Sequence, residues 1–232
     1  MQLARRVLLL PLLALGLAAC GGDDDGDATP ATTAPAATGP ATTPVEAQPG
    51  ECEAVEAPAP REEESRSAPT SELDPDTTYR LVVETNCGTF TIELDQESAP
   101  TTAASLVELA RDGYFDGTTF HRVVPGFVIQ GGDPTGTGAG GPGYQTVDAP
   151  SSDAAYTQGV VAMAKAEPEA AGTSGSQFFV VTGEDAGLPP EYAIVGRVVD
   201  GLDVVLAVDA LGQGDGPPSQ PVVMEKVTVE EG

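Results

Sequence analysis

Between Phe120 and Gly132 the chain reads Phe-His-Arg-Val-Val-Pro-Gly-Phe-Val-Ile-Gln-Gly-Gly, which sets one arginine and one glutamine among apolar side chains. Pro125-Gly126 punctuates the run, so it reads as two short strands joined by a turn. Strand alternation places Arg122 and Gln130 on the side that Phe127 faces, or next to it. A sheet face mixing a guanidinium, an amide and a phenyl ring makes a poor core and a good site for a ligand that is part polar and part apolar. A second segment, Gly175-Ser176-Gln177-Phe178-Phe179-Val180, brings another amide and two more rings.

The elements that must hold these residues alternate apolar and polar side chains at strand spacing. Arg80 to Glu84 and Thr89 to Leu94 flank Asn86-Cys87-Gly88 as a hairpin. Ala99-Pro100-Thr101 opens a helix, proline being tolerated in a first turn, and Leu106, Leu109 and Ala110 form its apolar face up to a stop at Gly113. Strands follow at Thr118 to Val124 and Phe127 to Gln130, then at Gly159 to Ala164, Gln177 to Thr182 and Ala193 to Val199. A second helix fits Leu202 to Leu211 and a last strand Val222 to Val229. The expected architecture is mainly β: about eight short strands in a closed antiparallel barrel with a helix over each open end, which leaves no exposed edge. The glycine-rich stretch from Gly131 to Gly143 has neither the lysine of a phosphate-binding loop nor a following helix pattern, so its glycines serve tight turns and close backbone approach.

Composition divides the 232 residues in two. Residues 77–232 carry Val, Ile, Leu and Phe enough to close one core. Residues 20–76 are rich in Ala, Thr, Pro, Gly and acids, and so poor in large apolar side chains that burial cannot offset ordering entropy; they are expected to form a disordered tether. A coil of that length has a reach of about 40 Å. The formal charge of −26 is spread over both parts. No basic stripe exists, so nucleic acid is excluded as a partner, and anionic lipid would be repelled unless the tie to a membrane were covalent. Self-repulsion on this scale also favours a monomer.

Residues 1–19 read as a signal peptide: Arg5 and Arg6, an apolar run from Val7 to Leu17, then small residues. The run is too short to span a membrane. Leu17-Ala18-Ala19-Cys20 has the form of a bacterial lipobox, in which the Cys20 thiol takes up diacylglycerol and becomes the anchored N-terminus. A secretory signal with a chance cysteine is the competing reading, and Arg5-Arg6 also raises a twin-arginine route. Two cysteines then remain, Cys52 and Cys87, in a compartment where a disulfide can persist. A bridge would staple the tail to a hairpin tip that a passing chain reaches without entering the core; two unpaired thiols are the alternative. Neither a CxxC nor a Cys-His cluster is present, so no metal site is expected.

From about Tyr79 to Glu230 the chain resembles the cyclophilin family of peptidyl-prolyl isomerases. The residues that carry the likeness are Phe120-His121-Arg122, Phe127 and Gln130, with Gly175-Ser176-Gln177-Phe178-Phe179 downstream. The resemblance implies the same barrel, no cofactor, and proline-containing proteins as partners. It assigns the catalytic contact to Arg122, positioned by Gln130. It gives Phe127, Val128, Phe179, Leu188 and Tyr192 as walls of a proline pocket, with Ala164, Lys165 and Gln177 as contacts to the substrate chain. Isomerisation moves no proton, so His121 reads as structural. A module that binds proline segments or chaperones with little turnover is the other reading, but ring binding alone would not need Arg122. The chain departs from the family at Gly187, where a tryptophan is common, at Tyr192, where histidine is frequent, and at Val128, which replaces methionine. The residues between Met163 and Gly175 also form a longer loop. The missing indole predicts weak binding of cyclosporin.

Overall fold

The structure is a computed structural model that describes residues 51–62 and 65–232. The segments expected to be a signal peptide (1–19), a lipidation site (Cys20) and the first part of a tether (up to residue 50) lie outside the described residues. Among the described residues no helix is long and apolar enough to cross a membrane.

Strand β1 (Tyr79–Thr85) turns through Asn86-Cys87 into β2 (Gly88–Leu94), with alternate residues buried along both. Helix α1 (Pro100–Arg111) starts on its proline and buries Leu106, Val107, Leu109 and Ala110. Then come β3 (Thr118–Thr119), β4 (Arg122–Val124) and β5 (Val128–Gly131), with a short ribbon of β6 (Thr146–Val147) and β8 (Thr173–Ser174) further on. Strands β7 (Val160–Met163), β9 (Phe178–Val181) and β10 (Ile194–Asp200) precede helix α2 (Leu202–Asp209) and the last strand, β11 (Val223–Glu231).

Nine strands form one antiparallel sheet in the order β3-β11-β1-β2-β10-β7-β9-β5-β4. Its two edge strands, β3 and β4, are separated in the chain by Phe120 and His121 alone. One bent strand therefore belongs to both edges, and the sheet must curl round until they meet. Counted as that single strand, β3 and β4 complete the eight-stranded barrel expected from the sequence. Between them the Phe120 N–H still donates to the Val222 carbonyl at 2.9 Å, and its ring is fully enclosed, edge-on to Phe178 at 6.3 Å.

The interior is filled from alternate positions: Val123 of β4, Ile129 of β5, Val161 of β7, Val180 of β9 and Val195 of β10. Helix α1 packs on β11 and β1, and α2 on β2, β5 and β4. Gly201, which opens α2, has φ 72°, and a Cβ there would collide with the Thr89 carbonyl oxygen. Only glycine lets the helix start so close to β2.

Two expectations need correction. The described residues between 51 and 76 have no regular secondary structure, yet they lie along the barrel as a strap. The Glu53 N–H donates to the Asn86 carbonyl at 2.7 Å, Arg61 N–H to Pro134 at 2.9 Å and Arg66 N–H to Pro142 at 2.8 Å. The Arg61 and Arg66 guanidinium groups sit 5.5 and 5.2 Å from the centre of the buried Tyr114 ring, and Leu73 packs on the core. Backbone bonds and arginine–ring contacts hold what apolar burial could not. The expected disulfide between Cys52 and Cys87 is present, and the second correction concerns only its setting. Cys87 is fully buried rather than at an open hairpin tip. The bridge therefore enters the core edge, where Asn86 Nδ2 also donates to the Glu53 and Pro221 carbonyls.

Candidate active site

The opposite positions of the same strands face outward and build the site. Across the sheet Arg122 pairs with Gln130, Gln130 with Phe179, Phe179 with Ala162 and Ala162 with Ile194. Sheet register alone thus lays a guanidinium, an amide and a phenyl ring side by side. Around Phe179 gathers a second apolar cluster, separate from the interior, which includes buried Val128, Tyr156 and Val181 and half-buried Phe127, Leu188 and Tyr192. An apolar floor with a half-open rim is a pocket for a small ring.

The rim is pinned. The Tyr192 ring meets Phe179 edge-on at 5.6 Å, and the Tyr156 hydroxyl donates to the Tyr192 carbonyl at 2.8 Å while accepting its N–H at 3.1 Å. The turn before Phe127 is fixed from α2: both Asp209 carboxylate oxygens accept the Gly126 N–H, and one also accepts the Thr182 hydroxyl at 2.7 Å. Sequence reasoning did not find Tyr156 or Asp209. Gly187 has φ 61°, and the position a Cβ would take there is open space. A tryptophan at this site would face backbone strain rather than crowding.

On the polar side, Arg122 Nη1 donates to Gln130 Oε1 at 3.3 Å and Gln130 Nε2 to Gln177 Oε1 at 3.0 Å. Gln177 Nε2 donates to the carbonyls of Gly138 and Gly140, at 3.0 and 2.9 Å. Gln177 therefore holds the glycine-rich loop, whose tight course depends on Gly140: a Cβ there would overlap the Asp133 carboxylate. Beyond the two glutamines opens a groove of about 920 Å³, walled by this loop, by Ala164 and Lys165, and at one edge by Ser65 of the strap. The Lys165 ammonium is drawn aside, 3.0 Å from Glu191 and 5.6 Å from the centre of the Tyr192 ring. The residues expected to line the site are thus assembled along one continuous surface, a shallow apolar pocket at one end and a polar groove at the other.

His121 lies behind this surface. The Thr119 backbone is close, but neither ring nitrogen makes a hydrogen bond of normal geometry among the described residues. Burial pushes its pKa below the ordinary value, a trend that nearby Asp133 opposes. A depressed histidine pKa means that the unfolded chain binds the proton more readily. Stability is then complete above the ordinary histidine pKa of about 6.5 and declines as pH falls from there towards the folded value. The melting temperature should therefore drop between pH 7 and 5.5, and less in His121→Phe; equal slopes for both proteins would refute the assignment.

Comparison with known proteins supports the geometry. Residues 80–229 match the family model of the cyclophilin type peptidyl-prolyl cis-trans isomerases. A mouse peptidyl-prolyl cis-trans isomerase-like 1 is 43% identical over 139 residues, 57% of this chain and 82% of the relative. Peptidyl-prolyl cis-trans isomerase A of Mycobacterium tuberculosis is 37% identical over 172 residues, 66% of this chain and 92% of the relative. Among solved structures, a cyclophilin type peptidyl-prolyl cis-trans isomerase of Cryptosporidium parvum, crystallised in the presence of the dipeptide Ala-Pro, superposes with a TM-score of 0.60 at 30% identity. That match covers 65% of this chain and 98% of the neighbour.

Proposed function

The chain belongs to the cyclophilin family of peptidyl-prolyl cis-trans isomerases and is an enzyme of that class, and from that premise we propose that Arg122 carries its catalysis on proline-containing proteins outside the cytoplasmic membrane. The observation that supports this most is the cross-strand row Arg122–Gln130–Phe179, which sets the guanidinium beside the apolar pocket.

Rotation about an X-Pro bond is opposed by amide resonance, with a barrier of ~18–20 kcal/mol for amides generally. Uncatalysed exchange takes tens to hundreds of seconds. Five decades of acceleration require about 7 kcal/mol off the barrier. No nucleophile or proton transfer is needed. As the amide twists, conjugation is lost, the proline nitrogen becomes pyramidal and its lone pair can accept a hydrogen bond. The pocket floor of Phe127, Val128, Phe179, Leu188 and Tyr192 grips the ring while the preceding carbonyl swings. Arg122 donates to the nitrogen only when it is twisted, so the contact favours the transition state over either ground state. Gln130 holds the guanidinium, and the groove beside Gln177 takes the preceding residues of the substrate chain. An exchange assay on a short Xaa-Pro peptide with the full chain tests this. Turnover supports the enzyme reading, and peptide binding without turnover would leave only a binding module.

The cellular setting is inferred from two features. Leu17-Ala18-Ala19-Cys20 supplies a lipidation motif, and Cys52–Cys87 is a disulfide of the kind that persists in oxidising compartments. The enzyme is therefore a lipid-anchored monomer that accelerates the folding of exported chains at the outer face of the membrane. Cys20→Ser should abolish lipid labelling and move the exported protein from the membrane fraction to the soluble one. Undiminished membrane association in that variant would overturn the anchor.

A further inference from the structure

Strand β4 is the last in the sheet order, and on its free side runs the loop between α2 and β11. That loop is tied to the strand: the Val123 N–H donates to the Gly216 carbonyl at 2.7 Å, in an antiparallel bridge. The residues beside that bridge, Asp215 and Arg122, meet through their side chains. Arg122 Nε donates to Asp215 Oδ1 at 2.6 Å and Nη2 to Oδ2 at 3.0 Å. This is a two-bond clasp along one edge of the guanidinium, the arrangement that fixes its plane as well as its position. We propose that Asp215 is a positioning residue for isomerisation, which aims the Arg122 guanidinium by clasping its Nε–Nη2 edge from the α2–β11 loop. The inference rests on the assignment of catalysis to Arg122.

Donor counting supports the role. A guanidinium has five N–H groups in a rigid fork. Asp215 takes two and Gln130 takes a third. What remains is one N–H on each Nη, with no protein partner among the described residues. Gln130 alone would leave the long side chain free to swivel about that single bond of 3.3 Å. With Asp215 opposite, the plate is held from both edges and its open N–H groups keep one direction. Preorganisation of this kind lowers a barrier because the donor need not reorient when the amide twists.

The pair does little for the fold. The Asp215 side chain is 66% exposed and that of Arg122 31% exposed, and exposed ion pairs contribute little to stability. Donation by Arg122 holds the Asp215 carboxyl below its ordinary pKa, so the clasp stays charged at neutral pH. The effect of Asp215 should therefore appear in turnover and in guanidinium order, not in melting temperature.

The test uses the full chain, its Asp215→Ala and Asp215→Asn variants, and Asp215→Ala in an Arg122→Ala background. Line-shape analysis of an Ala-Pro peptide gives exchange rate and affinity separately, and nitrogen-15 spectra follow the Arg122 Nε–H signal. Asp215→Ala should lower turnover about tenfold, as expected for a displaced reacting group, with peptide affinity changed less than twofold and the melting temperature unchanged. Asp215→Asn, which keeps one acceptor oxygen, should recover part of the loss. The Nε–H signal, slow to exchange with water in the parent, should broaden or vanish in Asp215→Ala. In the Arg122→Ala background the substitution should have no further effect, because the residue it acts through is gone. Unchanged or faster turnover in Asp215→Ala, or an equal loss in the Arg122→Ala background, would overturn the proposal. A parent chain that binds the peptide without turning it over would sink the catalytic reading itself, a different result from an active parent indifferent to Asp215.

Discussion

Arg122→Ala should lower the isomerisation rate by roughly two decades or more while the protein remains folded. The size follows from what is removed: a donor aimed at charge that exists only in the twisted amide, worth about 3 kcal/mol of transition-state stabilisation in comparable sites. Folding should be little affected, because the guanidinium lies on the outer face, paired with exposed Asp215 and with Gln130, while neighbouring Val123 carries the strand's burial. Peptide affinity should change less than turnover, since the apolar floor that grips the proline ring stays intact. Lysine should rescue poorly: its ammonium is a compact charge on a flexible stem and cannot bond Asp215 along one edge while facing the substrate with another. Near-normal turnover in purified Arg122→Ala would remove the mechanism, whatever the family match.

The site was legible where strand alternation controls it. Arg122, Gln130 and Phe179 fall on one row because each occupies an outward position in a strand whose inward neighbours are Val123, Ile129 and Val180, and an apolar/polar pattern of period two reports that directly. The residues that hold the row in place were not legible. Asp215 is one of 36 acidic residues and sits in a Gly-Pro loop without periodicity; its significance comes from the backbone bridge between Val123 and Gly216, a long-range pairing. Tyr156 and Asp209 likewise act at long range, reaching Tyr192 and Gly126 across 36 and 83 residues. The strap failed for another reason. Its composition argues correctly that it cannot build a core, but Glu53, Arg61 and Arg66 attach through backbone N–H groups, and every residue except proline has one of those. Cys87 was placed at the hairpin turn correctly and its exposure was not: the turn folds inward because Asn86 beside it bonds both the strap and the approach to β11.

Loss of the Cys52–Cys87 bridge, which ties the strap to the buried Cys87 at the core edge, should cause a large fall in stability. The bond closes a loop of 34 residues, Glu53 to Asn86, and in the chain-entropy model such a closure stabilises the native state by roughly 3–4 kcal/mol. For a domain of this size, each kcal/mol moves the melting temperature by about 2–4 °C, so Cys52→Ser should melt around 10 °C lower. Cys52 is the informative position to change, because it is only partly buried and Cys87 can remain in place as a small apolar side chain. Reductant should destabilise the parent by a similar amount and leave Cys52→Ser unmoved. Turnover at 25 °C should survive in the variant, because Arg61 and Arg66 still clamp the strap at Tyr114, Pro134 and Pro142, the last of which lines the groove. The covalent state has its own check: digestion without reduction of protein made under oxidising conditions should yield the two cysteine peptides joined. Free thiols at both positions, or identical melting curves with and without reductant, would show that the non-covalent contacts of the strap suffice and that the bridge adds nothing.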